Sequence, residues 1–91
     1  MQSILQSSNK DCCYICGQYA TETHHCIHGT ANRRLADEDG LTVRLCNRCH
    51  RLLHDQGNFD RELQRIAQKN WMEHYGKTVE EWRERYGKSY L

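Results

Sequence analysis

Two closely spaced cysteine pairs are the first residues of this 91-residue chain whose types and spacing indicate chemistry. Cys13 and Cys16 form one pair, Cys46 and Cys49 form the other, and each pair can fill two corners of a tetrahedral zinc site. Two such pairs in one short chain predict a structural Zn²⁺ ion bound by all four thiolates. Cys12 is a less usual alternative to Cys13, and the spacing of two intervening residues favours Cys13.

A disulfide framework is the alternative use for the six cysteines. The N-terminal residues lack a basic segment followed by an apolar run, so we expect no signal peptide. No segment approaches the roughly 18 apolar residues that a membrane span needs. We therefore expect a cytoplasmic protein with reduced thiols, in which Cys12 and Cys26 pack as small hydrophobic side chains.

His50 and His54 suggest a second metal site. If a helix begins at Asn47, residues four apart share one face with Cβ atoms about 6 Å apart, which allows both rings to reach one metal. The alternative is that His54 is only a basic residue near a helix C-terminus. A catalytic metal site usually takes three protein ligands and leaves a position open, and the third ligand could come from His24 or His25.

The adjacent histidines His24 and His25 can divide two tasks between them. Successive side chains of a β-strand point to opposite faces, so one ring can bind the metal while the other stays close without binding it. Histidine titrates near neutral pH, and the second ring could therefore act as a general base on water. His28 could compete as a base or a ligand, but its position is more typical of a polar loop residue.

Short elements must position these residues. Residues 20–25 and 41–45 are expected to be strands, residues 29–40 a polar loop with a glycine at each end, and residues 47–54 a helix capped by Asn47. The order strand, loop, strand, helix predicts a ββα unit.

The second half of the chain contains no cysteine and predicts two helices. Asp60 is the expected N-cap of the first helix, and Gly76 ends it. Its apolar residues recur at helical spacing: Leu63, Ile66, Ala67, Trp71 and Tyr75. Thr78 and Glu81 form a capping box for the second helix, which ends at Gly87 and carries Val79, Trp82 and Tyr86 on one face. We expect the aromatic residues to be core, the alternative being a surface that stacks on nucleic acid.

The charge is nearly balanced, because 13 basic and 12 acidic residues give a net charge of +1. This excludes a polybasic tail and gives no electrostatic indication of nucleic-acid binding by itself. Five arginines lie in the metal-rich half: Arg33, Arg34, Arg44, Arg48 and Arg51. They are compatible with phosphate contacts or with an ordinary solvated surface, while residues 37–39 form an acidic cluster in the expected loop.

The predicted fold class is α+β, a small zinc-stabilised ββα-metal (treble-clef-like) unit with a C-terminal two-helix extension. The mean hydropathy of −0.96 implies a thin apolar core that needs the metal as part of its scaffold. We expect a flexible N-terminus over residues 1–10, the core over 11–56 and the helical extension over 57–91, all within one domain.

The chain resembles the HNH nucleases, and especially their small zinc-stabilised members from phages and prophages. The resembling segments are Cys13-Tyr-Ile-Cys16-Gly17, Thr23-His24-His25, and Leu45-Cys46-Asn-Arg-Cys49-His50 together with His54. Many treble-clef-like zinc modules share the cysteine pairs alone. The double histidine between the pairs, with His50 and His54 after them, makes the match specific.

This resemblance implies a metal-dependent DNA endonuclease. His24, His50 and His54 would bind a catalytic divalent metal (Mg²⁺, Mn²⁺, Ni²⁺ or Zn²⁺), and His25 would be the general base that activates water. The products would carry a 5′-phosphate and a 3′-hydroxyl. The family usually has an asparagine shortly before the second cysteine pair, where this chain has Gly40 and Leu41. Asn32 is the candidate replacement.

Partners follow from the same resemblance. Arg33, Arg34, Arg48 and Arg51 would contact DNA, with RNA as an alternative substrate, and a homodimer or a protein partner would be needed to cut both strands. The C-terminal segment Tyr86-Gly87-Lys88-Ser89-Tyr90-Leu91 looks like the tails of phage-encoded relatives, which suggests a phage or prophage protein in a bacterial host. One alternative function is a catalytically inactive zinc module that binds nucleic acid or inhibits a host protein. Another, a redox or metal-storage protein, accounts for Cys12 and Cys26 but not for the histidine spacing.

Overall fold

The computed structural model describes residues 3–6 and 11–91. Its elements follow the order β1 (Glu22–His25), α1 (Thr30–Asp39), β2 (Thr42–Leu45), α2 (Asn47–Gln56), α3 (Asp60–Tyr75) and α4 (Val79–Tyr86). The described residues therefore form a small α+β fold with one two-stranded sheet and four helices, which confirms the α+β part of the predicted class. Among them, no helix combines the length and the apolar character needed to cross a membrane.

The two strands carry the double histidine against the interior. β1 and β2 pair antiparallel, with His24 opposite Val43 and His25 opposite Thr42. His24 and Val43 are buried, whereas His25 is partly exposed. Both predicted strands are confirmed, and each begins one or two residues later than the sequence pattern indicated.

The polar loop predicted for residues 29–40 is wrong, because the segment is helix α1. The two glycines that indicated a loop lie at the ends of this helix, Gly29 at the N-cap and Gly40 at the C-cap. Gly40 has a φ of 76°, a left-handed conformation that glycine adopts without a steric penalty. Ala36 is fully buried and Leu35 packs against the core, so packing of one face holds a helix whose other residues are mostly polar.

The N-terminal segment expected to be flexible lies partly outside the described residues. Within residues 3–6, the N–H of Ile4 donates to the carbonyl oxygen of Gly40 at 2.9 Å. The side-chain oxygen of Gln6 accepts from the N–H of Arg44 at 2.7 Å. This short stretch is thus hydrogen-bonded to the C-cap of α1 and to β2.

The helical extension follows its sequence signals closely. The capping box is confirmed: the Thr78 hydroxyl accepts from the N–H of Glu81, and the Glu81 carboxylate accepts from the N–H of Thr78. The N-cap of α3 is shifted by one residue, from Asp60 to Phe59, which has a φ of 67°. The expected aromatic core is confirmed by burial of its largest members, Trp71, Trp82 and Tyr86.

One carboxylate joins α1 to both helices of the extension. Asp39 Oδ2 accepts hydrogen bonds from Trp71 Nε1 at 2.8 Å and from the Tyr86 hydroxyl at 2.6 Å. The Arg85 guanidinium donates to both carboxylate oxygens of Asp39, at 2.6 and 2.9 Å. A mostly buried carboxylate with this many donors is fully satisfied, so Asp39 anchors the extension instead of lying in an acidic loop.

Candidate metal centres

The four cysteines of the two pairs come together in space. Their Sγ atoms all lie within 4.8 Å of one another, and those of Cys16 and Cys46 are 3.6 Å apart. A tetrahedral zinc with Zn–S bonds of about 2.3 Å places its sulfurs about 3.8 Å apart. Cys13, Cys16, Cys46 and Cys49, hereafter the cysteine cluster, could therefore hold a structural metal ion such as zinc.

Local backbone geometry shapes both pairs. The first pair sits in a tight turn in which the N–H of Cys13 donates to the Gln18 carbonyl oxygen and that of Gly17 donates to the Cys13 carbonyl oxygen. In the second pair the Cys46 side chain, and not the expected Asn47, is the N-cap of α2, and its sulfur accepts from the N–H of Cys49 at 3.4 Å. One sulfur thus begins the helix and belongs to the cysteine cluster.

The thiols of the cysteine cluster ionise unequally. Burial opposes ionisation of Cys13, but backbone N–H groups of Cys16, Cys46 and Ile15 outweigh it and lower the pKa of this thiol to about 6. Burial, together with the neighbouring thiols, raises the pKa of Cys49. Because zinc binds thiolates, metal binding here is expected to release the proton held by Cys49.

Three histidines form the second group, hereafter the histidine cluster: His24 on β1 and His50 and His54 on α2. One ring nitrogen from each lies within 4.8 Å of the others, and the Nε2 atoms of His50 and His54 are 3.0 Å apart. The ring centroid of His24 is 5.4 Å from that of His50 and 5.9 Å from that of His54. The helical spacing and the strand histidine therefore meet at one point.

His24 provides an independent indication of a ligand at this point. Its side chain is 3% exposed, and among the described residues its Nε2 atom has no hydrogen-bond partner. Burial, and then the nearby His50, His28 and His54, lower the pKa of His24 to about 4, so the ring is neutral at physiological pH. A buried neutral imidazole nitrogen that faces two further ring nitrogens fits a divalent metal site with nitrogen ligands.

Glu22 supports the cluster from behind. Its Oε2 atom lies 3.3 Å from Nδ1 of His50, which directs the other ring nitrogen of His50 toward the cluster. Metal-binding histidines commonly donate their second N–H to a carboxylate. Glu22 lies at ion-pair distance for this part, and its buried Oε2 atom makes no hydrogen bond among the described residues. Sequence reasoning missed Glu22, although it precedes His24 by two residues on the same strand and must therefore share its face.

His25 lines a cavity of about 260 Å³ beside the histidine cluster. The cavity is lined by Thr23, His24, His25, His28, Arg33, His50 and His54, and is hereafter the histidine cavity. The Nε2 atom of His25 lies 2.9 Å from Oδ1 of Asp37, a residue of α1 that the sequence did not single out. The ring is thus held by a carboxylate on one side and opens on the cavity.

Asn32, the candidate replacement for the missing asparagine, is elsewhere. Its amide nitrogen donates to the carbonyl oxygens of His28 at 3.1 Å and of Tyr86 at 3.3 Å, and so joins α1 to α4. The structure brings Asp37, and not Asn32, to the ring of His25.

His28 is an exposed loop residue between β1 and α1, as expected, and it also lines the histidine cavity. Its ring centroid is 6.1 Å from that of His24, and its Nε2 atom lies 2.7 Å from Oδ1 of Asp60, the first residue of α3. The chain therefore presents two histidine–aspartate pairs, His25 with Asp37 and His28 with Asp60, around the histidine cluster.

The arginines expected to contact nucleic acid occupy different places. Arg33 lines the histidine cavity, whereas Arg34 pairs with Glu38 at 3.1 Å on the exposed side of α1. Arg48 and Arg51 are exposed on α2. The remaining one, Arg44, donates to the Thr23 hydroxyl at 2.8 Å across the sheet.

The two leftover cysteines stay outside both clusters. Cys26 is fully buried in the core, and burial, followed by the charge of Asp60, raises the pKa of its thiol to about 12. Its expected role in packing is confirmed. Cys12 is half-buried, in a single β-bridge with Tyr19.

Comparison with known proteins identifies no relative of this chain. No protein-family model matches the chain, and neither a curated protein nor a solved structure matches it. A function for this chain must therefore be argued from the geometry of its two clusters.

Proposed function

We propose that the protein is a metal-dependent DNA endonuclease of the HNH, ββα-metal type. The observation that carries the proposal is the unpartnered, buried Nε2 atom of His24 facing His50 and His54 beside the His25–Asp37 pair. Three nitrogen ligands with an adjacent base on an open cavity are what hydrolysis of a phosphodiester by activated water requires. The cysteine cluster would bind the structural Zn²⁺.

The catalytic metal would be Mg²⁺, Mn²⁺, Ni²⁺ or Zn²⁺, held by His24, His50 and His54. When bound, it would supply electrostatic stabilisation of the charge that develops on the phosphate and on the leaving 3′ oxygen. The chain's own contribution is to keep these three rings converged, with Glu22 fixing the ring of His50.

His25 would be the general base. Its Nε2 atom donates to Asp37, so Nδ1 accepts a proton from water while the water oxygen bonds to phosphorus. The bond between phosphorus and the 3′ oxygen breaks, and the leaving oxygen takes a proton from solvent. The products are a 5′-phosphate and a 3′-hydroxyl. Asp37 holds the ring and stabilises the imidazolium that forms, a task that the family resemblance had suggested for Asn32.

Substrate and setting follow from the same proposal. The exposed arginines Arg48 and Arg51 and the cavity-lining Arg33 would contact the DNA backbone, and Arg34 would do so only at the cost of its pairing with Glu38. Each protomer carries a single proposed catalytic site, so cutting both strands calls for a homodimer or a protein partner. The expected setting is the cytoplasm of a bacterium that carries the gene on a phage or prophage.

Plasmid cleavage tests the proposal. Supercoiled DNA is incubated with Mg²⁺, Mn²⁺, Ni²⁺ or Zn²⁺, and the wild type is compared with His25→Ala and with His74→Ala, the same change at an exposed histidine of α3. We expect nicked or linear product from the wild type and from His74→Ala, and little from His25→Ala. If none of the four metals supports cleavage by the wild type, or if His25→Ala cuts as well as the wild type, the catalytic assignment fails.

A zinc module without catalytic activity, which binds nucleic acid or inhibits a host protein, is the second candidate. The placement of Asn32 favours it, because its amide is engaged by Tyr86 and His28 and does not reach His25. Metal stoichiometry separates the two candidates. The nuclease is expected to bind one tight zinc and a second, weaker divalent ion that His50→Ala removes, whereas the inactive module needs only the first.

A further inference from the structure

One wall of the histidine cavity takes no part in the metal binding or the proton transfer of the proposed hydrolysis. It is formed by His28, just before α1, and by Arg33 in the first turn of α1. Neither belongs to the histidine cluster, yet both line the same cavity as His24 and His25. This wall therefore faces whatever group occupies the cavity.

We propose that His28 and Arg33 form a phosphate-binding subsite that holds the backbone of the nucleic acid against the histidine cluster. The proposal rests on the proposed nuclease function for the choice of ligand, a phosphodiester. It assigns binding, and not proton transfer, to His28.

The contact between His28 and Asp60 supports this assignment. At 2.7 Å it fixes the ring to the start of α3, so the ring is held in place before any ligand arrives. The contact engages Nε2 and leaves the Nδ1 edge of the ring for the ligand. His28 remains about half exposed, which leaves its other edge accessible from the cavity.

Arg33 is the matching cation. Its neighbour Arg34 is paired with Glu38, but among the described residues no carboxylate lies within ion-pair distance of Arg33. Three acidic side chains lie beside histidines of the cavity, and each is already next to its own ring: Asp37 at His25, Asp60 at His28 and Glu22 at His50. An arginine with a free fork of N–H donors in a pocket suits a phosphate.

The first turn of α1 adds to the same polarity. Its N-cap, Gly29, has no side chain to accept the N–H groups of that turn, and the turn contains no acidic residue. The positive end of the helix dipole is thus not neutralised by the chain itself next to His28 and Arg33.

Equilibrium binding tests the subsite without requiring cleavage. Binding of a short fluorescein-labelled DNA duplex to His25→Ala is followed by anisotropy, without added divalent metal, over a series of salt concentrations. We expect either His28→Ala or Arg33→Gln, added to this background, to weaken binding by about tenfold, and Arg33→Gln to lower the slope of log affinity against log salt by about 0.9. His74→Ala and Arg83→Gln remove the same groups from exposed positions outside the cavity and are the matched controls.

A double-mutant cycle tests the role of Asp60. Asp60→Asn should weaken DNA binding when His28 is present and have little further effect in the His28→Ala variant, because the carboxylate acts through that ring. Equal effects in both backgrounds would mean that Asp60 does not position His28. Circular dichroism and zinc content confirm that each variant is folded.

The possible results are distinct. If the cavity variants bind like their controls, or if the wild type binds no nucleic acid, the subsite is overturned. If His28 and Arg33 control binding but no metal supports cleavage, the nuclease proposal fails and the subsite stands. An RNA duplex of the same sequence, measured in parallel, identifies which nucleic acid the subsite holds.

Discussion

The cysteine cluster and the histidine cluster share helix α2 but differ in ligand number and in exposure. The first has four ligand atoms, and three of its four residues are buried. The second has three, ranging from buried His24 to exposed His54, and it opens on a cavity. Structural zinc sites are closed by four protein ligands, whereas catalytic sites keep a position open. The difference fits a structural metal ion in the first cluster and is the basis on which we propose a catalytic one in the second.

The largest expected effect comes from breaking the closed cluster. Cys46→Ser removes a zinc ligand and the N-cap of α2 together, so we expect loss of zinc and of the cooperative unfolding transition. Structural zinc binding is worth about 10–16 kcal/mol in small zinc-dependent folds, more than a domain of this size can replace. Thermal melts by circular dichroism and metal analysis measure both. A variant that stays folded without zinc would contradict a structural role for the metal.

The open cluster should respond differently to loss of its base. His25→Ala is expected to lower the rate of DNA cleavage by about 10²–10⁴-fold while leaving stability and metal content unchanged, because the ring is partly exposed and is not a ligand. Single-turnover cleavage with saturating metal gives the rate. Full activity in this variant would mean that another residue is the general base.

A smaller effect is expected behind the open cluster. Glu22→Gln keeps the size of the side chain but removes the charge beside His50, so we expect affinity for the second metal to fall about 10–100-fold. Isothermal titration with Mn²⁺ or Ni²⁺ measures this affinity, and the zinc content should not change. An equal loss from both metal sites would contradict the separation of the two clusters.

The smallest effect is expected at Cys12, which the sequence offers as an alternative zinc ligand to Cys13 but which lies outside the cysteine cluster. Cys12→Ser should keep the zinc and change the free energy of unfolding by no more than about 0.5 kcal/mol. Denaturant titration and metal analysis suffice. Loss of zinc in this variant would show that Cys12, and not Cys13, is the zinc ligand.

The two clusters also differ in how far sequence could predict their surroundings. Short-range spacing predicted the two CxxC pairs and the helical His50–His54 pair, whereas the choice of His24 as third ligand came from the family resemblance. The partners of His25 and His28 could not be found in this way. Residues 29–40 were predicted to be a loop, so the side of α1 on which Asp37 lies could not be predicted. Asp60 contacts His28 only because α3 packs beside it.

The missed helix has a physical cause as well. Its ends carry glycines, and only Ala36 of its ten residues is buried, so local propensity and periodicity favoured a loop. What holds it is tertiary: Asp39, at its last residue, receives donors from Trp71, Arg85 and Tyr86 of the extension. No local pattern shows such an anchor. The capping box of Thr78, by contrast, is contained within four residues and was predictable.

The sulfur of Cys46, which both caps α2 and belongs to the cysteine cluster, implies an order of assembly. It fixes the rotational phase of α2, and that phase determines whether His50 and His54 point toward His24. Loading would then be hierarchical, with the second ion finding its full ligand set only after the first is in place. By thermodynamic reciprocity, the second ion would in turn raise the affinity for the first, so the two sites would bind with positive cooperativity through a single helix.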